Sequence, residues 1–252
     1  MAEEHSRFTT KPKKITSTGE FAWGGDSGWE DIDETENVRV ENGRVQHVSI
    51  PSEVTDQFDD SEFNTSKWVF VNRGGDASYD ESGGVLQLLY GPDRDDRPVI
   101  RTQDKIVADG DVGDDLSIST RGKTLSNGGH IHLIGWWDGE LDGTYSSPVN
   151  AVYAKVSSPS DSVALAIAEG GKRRTLDSVS PIPVDETVFH DWKLELVGNF
   201  TEFSYTISID GDQVSTGTGS FNPSNAGVYA GYAGRETTAD TEFDSATILT
   251  EL

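Results

Sequence analysis

The segment Trp192-Lys193-Leu194-Glu195-Leu196 alternates apolar and charged side chains, and Phe203-Ser204-Tyr205-Thr206-Ile207-Ser208-Ile209 repeats the same period. Successive side chains of a strand point to opposite faces, so this pattern seals one face in a core and leaves the other to water. Asp210-Gly211-Asp212 then turns the chain into Gln213-Val214-Ser215. Similar patterning predicts strands over residues 85–90, 99–102, 116–120, 130–136, 151–156, 163–168, 227–233 and 247–249. No segment sustains a helical period; residues 161–169 are Ala-rich but short, closed in by Pro159 and Gly170. Short strands separated by Gly, Asn and Asp turns predict an all-β fold over residues 55–252, a two-sheet antiparallel sandwich.

Residues 1–54 read as a separate arm. Residues 1–14 hold Arg7, Lys11, Lys13 and Lys14 and lack the apolar core of a signal peptide, so export by that route is not expected. Phe21-Ala22-Trp23-Gly24-Gly25 and Trp29 make a glycine-rich block, and Val38-Arg39-Val40-Glu41-Asn42-Gly43-Arg44-Val45-Gln46-His47-Val48 predicts a short hairpin about Asn42-Gly43. Pro51-Ser52-Glu53 marks the expected boundary with the main domain. The arm is too small to bury a core alone, which suits attachment and oligomerisation.

Charge narrows the function classes. Forty-four Asp and Glu against 20 Lys and Arg give a net charge of −24. Such a chain repels nucleic acid. Six Trp, seven Tyr and ten Phe argue against disorder. At molar salt the screening length falls to about 3 Å and the self-repulsion largely vanishes, so a brine habitat is expected. The absence of Cys excludes disulfides, thiol catalysis and zinc–thiolate sites. No apolar run reaches the roughly 18–20 residues that span a bilayer, so membrane insertion is not expected.

Several segments resemble the concanavalin A-like (laminin G-like) lectin/glucanase jelly roll. Phe58-Asp59-Asp60-Ser61-Glu62-Phe63-Asn64-Thr65-Ser66-Lys67-Trp68 is similar to the opening of such domains, and Gly84-Val85-Leu86-Gln87-Leu88 to the strand that follows. Phe189-His190-Asp191-Trp192-Lys193-Leu194-Glu195 with Tyr205-Thr206-Ile207-Ser208-Ile209-Asp210-Gly211-Asp212 resembles a hairpin of that family, and Phe243-Asp244-Ser245-Ala246-Thr247-Ile248 its last strand. The resemblance covers residues 55–252. It implies a carbohydrate-binding sheet face, neighbouring first and last strands, and a Ca2+ ion for which Asp59, Asp60 and Asp244 are the candidate ligands. No cofactor is required. The stretch from Trp29 through Asn37-Val38-Arg39-Val40-Glu41-Asn42-Gly43 faintly resembles N-terminal segments of phage tail proteins. With the acidic composition, this points to tailed viruses of halophilic archaea.

Glu140, Asp142 and Thr144 fall where laminarinase-type members of the family carry Glu-x-Asp-x-Glu. Thr144 cannot replace the acid/base carboxyl, and Gly139 and Gly143 favour a loop, so Asp138-Gly139-Glu140-Leu141-Asp142 reads as a solvated acidic turn. Trp136 and Trp137 point to opposite faces of one strand, one to the core and one free to stack on a sugar. His130 and His132 share a face near them, though no third histidine stands close in sequence to complete a zinc site. Together with Asp138, Glu140 and Asp142, these four residues form the candidate ligand site. The acidic runs at 93–96 and 109–115 read as solvated turns, His190-Asp191 as structural, and Lys172-Arg173-Arg174 as a hairpin tip or subunit contact.

The expected protein is a non-enzymatic virion component of a halophilic virus: tail, fibre or turret. Its arm contacts other virion proteins, particle symmetry makes it a homo-oligomer, and its jelly roll binds host surface glycan. The alternative is a glycoside hydrolase or polysaccharide-binding module of a halophilic microbe. The brine reading predicts that the thermal unfolding midpoint climbs with NaCl into the molar range. A midpoint indifferent to salt would defeat it.

Overall fold

The computed structural model describes residues 51–251 except 73–74, 92–96, 107–114, 126–128, 142–147, 224–227 and 236–239, together with five short strands ahead of them. The chain divides into two compact units, Met1–Ile50 with Leu252, and Pro51–Glu251. In the first, β1 (Lys13–Ile15), β2 (Phe21–Gly25) and β3 (Gly28–Ile32) form an antiparallel sheet, and β4 (Val38–Glu41) pairs with β5 (Arg44–His47). Glu41 lies opposite Arg44, the register expected of the hairpin read from sequence.

Among its described residues the second unit is all-β apart from a 3-10 turn at Ser158–Ser160. Its strands are β6 (Pro51–Asp56), β7 (Trp68–Val71), β8 (Ser78–Ser82), β9 (Val85–Leu89), β10 (Val99–Thr102), β11 (Leu116–Thr124), β12 (His130–Trp137), β13 (Ala151–Ser157), β14 (Ser162–Glu169), β15 (Lys172–Val179), β16 (His190–Asn199), β17 (Glu202–Ile209), β18 (Asp212–Gly219), β19 (Tyr229–Arg235) and β20 (Thr241–Glu251). A seven-stranded sheet runs β15-β14-β13-β12-β19-β10-β7. An eight-stranded sheet runs β18-β17-β16-β11-β20-β9-β8, with β6 also paired to β20. The first strand of the unit thus lies beside the last, as the resemblance implied.

Three hairpins close through two-residue turns with both residues at positive φ. Gly83-Gly84 joins β8 to β9 at 65° and 82°, Gly170-Gly171 joins β14 to β15 at 58° and 75°, and Asp210-Gly211 joins β17 to β18 at 52° and 86°. Such turns match the twist of the flanking strands and favour Gly.

The alternation read from sequence sets the core. Trp192, Leu194 and Leu196 on β16 are buried opposite Ile209, Ile207 and Tyr205 on β17. These join Leu86, Leu88, Ile118, Val152, Leu165, Tyr232, Phe243 and Ile248 in one layer between the sheets. Tyr232 crosses that layer: from β19 its hydroxyl faces the carbonyls of Ser119 on β11 at 2.8 Å and Thr247 on β20 at 3.0 Å. Burial pushes this hydroxyl well above the ordinary tyrosine range, so it remains a donor.

Sequence patterning missed β6, β7, β8 and β15. Pro51 stands at the first position of β6, where a proline is tolerated in a sheet, so the expected linker is a strand. Lys172, Arg173 and Arg174 open the exposed edge strand β15. Positive side chains there discourage pairing with another edge.

Tyr232→Phe removes the cross-sheet donor and leaves two buried carbonyls one partner short. Chemical denaturation is expected to show a loss of about 1–2 kcal/mol with the fold retained.

Candidate functional site

The two faces of the seven-stranded sheet carry different apolar clusters. On β12, Ile131, Leu133 and Trp136 belong to the inter-sheet core. Ile134 and Trp137 belong to an outer cluster with Val99, Leu141, Tyr153, Ala166, Ala168 and Ala233. Strict alternation would send Trp136 outward with Ile134. A bulge prevents this: Ile134 lies opposite Gly231 and Trp137 opposite Tyr229, so β12 gains a residue, and Trp136 takes φ 40°. The inward indole of Trp136 meets Phe200 and Phe203 edge-on, each at 5.1 Å between centroids.

Both indoles are fully buried, at 0% exposure. The exposed tryptophan platform expected from sequence is therefore not offered. Trp137 does reach the outer side, but Leu141 packs in the same cluster, and the Trp137 indole N–H donates to the Glu140 carbonyl at 2.9 Å.

The turn that follows is fixed from several sides. Asp138 Oδ1 accepts the Glu140 N–H at 2.9 Å, and Oδ2 accepts the Asn150 carboxamide at 2.6 Å. Asn150 in turn accepts the Gly170 N–H at 2.8 Å through Oδ1. The Val149 N–H donates to the Glu140 carbonyl at 3.0 Å. Asp138 thus serves as the buckle of the turn. Gly139, at φ 86°, lies against Tyr229, where a Cβ would come within 3.0 Å of the ring. The Arg101 guanidinium stacks over that ring, 3.9 Å from its centroid.

The turn delivers Glu140, exposed, to a surface pocket of about 470 Å³ lined by Val71, Asn72 and Leu141. Asn72 is itself held: it donates to the Ala77 carbonyl at 2.8 Å and accepts the Gly75 N–H at 3.3 Å. Among the described residues, no second carboxylate lines this pocket. Asp142 and Thr144 lie outside the described residues, as do the acidic runs 93–96 and 109–114.

The remaining candidates sit elsewhere. His130 and His132 are buried, with ring centroids 6.3 Å apart, and His132 packs on Tyr153 at 5.3 Å. His190 is not paired with its neighbour Asp191. Its Nδ1 meets Asp210 Oδ2 across the hairpin at 2.7 Å, while Asp191 meets Arg121 at 3.4 Å.

Asp59, Asp60 and Asp244 do not form a calcium site together. Asp244 faces the Arg121 guanidinium at 3.3 Å, whereas Asp60 accepts the Glu62 N–H at 3.1 Å. Among the described residues, no group of three or more His, Asp or Glu is placed to hold a metal.

Sequence reasoning missed Val71, Asn72, Arg101, Tyr229 and Asn150. Val71, Arg101 and Tyr229 are brought to β12 only through the order β12-β19-β10-β7, which no local pattern announces. Gly135, immediately ahead of the bulge, was the one available sign of it.

No family model matches the chain, and no curated protein matches its sequence. Solved structures do resemble it. The carbohydrate recognition domain of Emp46p in its potassium-bound form has a TM-score of 0.57 at 10% identity, covering 77% of this chain and 94% of that one. That domain also has a metal-free form. The Emp47p carbohydrate recognition domain has a TM-score of 0.55 at 10% identity, covering 79% and 95%. The endo-1,3-beta-glucanase from Streptomyces sioyaensis has a TM-score of 0.52 at 15% identity, covering 79% and 96%. At these identities the likeness is one of fold: the second unit is a concanavalin A-like jelly-roll sandwich.

Proposed function

We propose that the second unit is a non-enzymatic carbohydrate-binding domain whose ligand docks where Glu140 and Asn72 meet. The observation that carries this reading is the pocket itself. A carboxylate held forward by a buckled turn stands with a carboxamide against the apolar walls of Val71 and Leu141. Carboxylate and amide recognise hydroxyls as acceptor and donor, and apolar walls suit the C–H face of a sugar ring. The lectin and glucanase sandwiches of the same fold support this choice of ligand class.

The glucanase alternative requires a second carboxyl about 5–5.5 Å from the first. Asp138, the closest described acid in sequence, is committed to Asn150 and to its own turn.

The finer proposal places this domain in a virion component of a halophilic virus. The first unit, rather than the whole of the expected arm 1–54, would join it to sister subunits and other particle proteins, and the sandwich would meet host surface glycan. The net charge of −24 and a separate N-terminal unit with strands of its own support that division of labour.

Glycan arrays in multimolar NaCl test the site. Glu140→Gln is expected to weaken retention about tenfold or more, equivalent to roughly 1.4 kcal/mol, with the unfolding midpoint preserved. Asn72→Asp is expected to weaken it likewise but with some loss of stability, because an ionised Asp cannot donate to the Ala77 carbonyl. Binding indifferent to both substitutions would remove the pocket from the proposal. Glucan hydrolysis abolished by Glu140→Gln would establish the enzyme instead.

A further inference from the structure

We propose that the cleft between β6 and the loop after β10 is a second binding site, which takes a neutral sugar ring and does not depend on the pocket at Glu140. The cleft encloses about 460 Å³, within the roughly 300–1,000 Å³ of small-molecule sites. The two sites lie at opposite ends of β7: Ser66 and Lys67 precede the strand and line the cleft, whereas Val71 and Asn72 close it and line the pocket. From Lys67 to Asn72 the extended chain covers roughly 16 Å at about 3.3 Å per residue, so one ring cannot fill both.

Thr102 is the one buried polar residue of the cleft lining. It stands two residues after Ile100 on β10 and so shares its inward face, and it is 1% exposed. Its hydroxyl has no hydrogen-bond partner among the described residues. A buried hydroxyl in that state is costly, and a ligand hydroxyl would supply what it lacks. The neighbouring groups are held in place. The Gln103 N–H donates to the Lys67 carbonyl at 2.7 Å, and the Gln103 carbonyl accepts from Arg101 at 3.4 Å. The exposed Gln103 carboxamide therefore projects from fixed backbone. Ser66 gives its hydroxyl proton to Asn64 at 2.6 Å, which leaves its oxygen to accept. The walls are apolar: Ile106 belongs to the inter-sheet core, and Val54 packs against that core.

The charges of the lining oppose an ionic ligand. Lys67 and Lys105 stand with Glu53 and Asp104, two cations with two anions. Lys67 is also committed, since its ammonium donates to the Thr55 carbonyl at 2.7 Å and faces Asp56 at 3.8 Å. That bond takes up a carbonyl on the edge of β6 remote from β20, which obstructs the addition of a peptide strand there. A sugar hydroxyl donates and accepts at once, as Thr102 and Gln103 require, and the C–H face of the ring suits Val54 and Ile106. A small anion offers acceptors alone and has no apolar face.

Methyl β-glucoside, methyl β-galactoside and methyl α-mannoside are titrated into the isotope-labelled full chain at one fixed molar NaCl concentration, with amide chemical shifts as the readout. At least one is expected to shift residues 53–55, 66–67 and 102–106 saturably in the millimolar range. Thr102→Val should weaken that binding about tenfold while the unfolding midpoint holds or rises, because it deletes a buried hydroxyl that has no partner. Gln103→Ala should weaken it likewise. Shifts retained in Glu140→Gln would separate this site from the pocket at Glu140, so that either can fail without the other. Absence of saturable shifts at these amides, their loss in Glu140→Gln, or binding indifferent to both Thr102→Val and Gln103→Ala would overturn the proposal. So would glucuronate binding more tightly than every neutral glycoside, which marks an anion site, or glycerol matching them, which marks a pocket for small polyols.

Discussion

Two sheets share one apolar layer, and every polar atom caught in it needs a partner from the opposite wall or from its own sheet. Tyr232 and Trp68 meet this demand across the two sheets, and Trp192 meets it on a neighbouring strand. The Trp192 indole donates to the Gly122 carbonyl at 2.8 Å, and Trp68 to Asp56 at 2.9 Å. Trp136 is different. Its buried indole N–H has no partner among the described residues, and its backbone sits at positive φ. Both departures occur at the bulge that swings Trp137 to the outer face and starts the Asp138–Glu140 turn. The core accommodates a strained residue at the point where the strand changes from structural element to presenter of an exposed carboxylate.

The same economy governs the acidic surface. Several aspartates close short turns on their own backbone. Asp56 accepts the Phe58 N–H at 3.3 Å, Asp60 that of Glu62 at 3.1 Å, Asp138 that of Glu140 at 2.9 Å and Asp185 that of Thr187 at 2.9 Å. The short side chain of Asp reaches the amide two residues on. The hydrogen bonds from Thr187 hold the Asp185 carboxyl below its usual range. Part of the acid content is therefore turn chemistry in a loop-rich sandwich.

Legibility followed the distance over which each feature is decided. The hairpin of residues 190–215 was plain because alternation and Asp210-Gly211 are both local. β8 was hidden because four of its five side chains are exposed and the buried one is Glu81, so no apolar rhythm marks it. β15 has no buried side chain at all. For the tryptophan pair, alternation specifies opposite faces but not which ring goes where. The bulge decides that, and Leu141 then covers the ring that emerged. Glu140 could be singled out from sequence, whereas Asn72 and Val71 reach it from an edge strand far earlier in the chain.

That arrangement bears on what Glu140 can do. Retaining cleavage of a glycosidic bond asks two carboxyls to exchange roles across one bond, one donating a proton while the other attacks. A carboxylate flanked by Val71, Leu141 and an amide has hydrogen-bond recognition to offer and, among the described residues, no acid to alternate with. Asp138 could take that part only by releasing Asn150, and Asn150 also anchors Gly170 in the β14–β15 turn. Freeing the second carboxylate would loosen the support that positions the first. The buckle that holds the Glu140 turn is thus the same feature that commits Asp138.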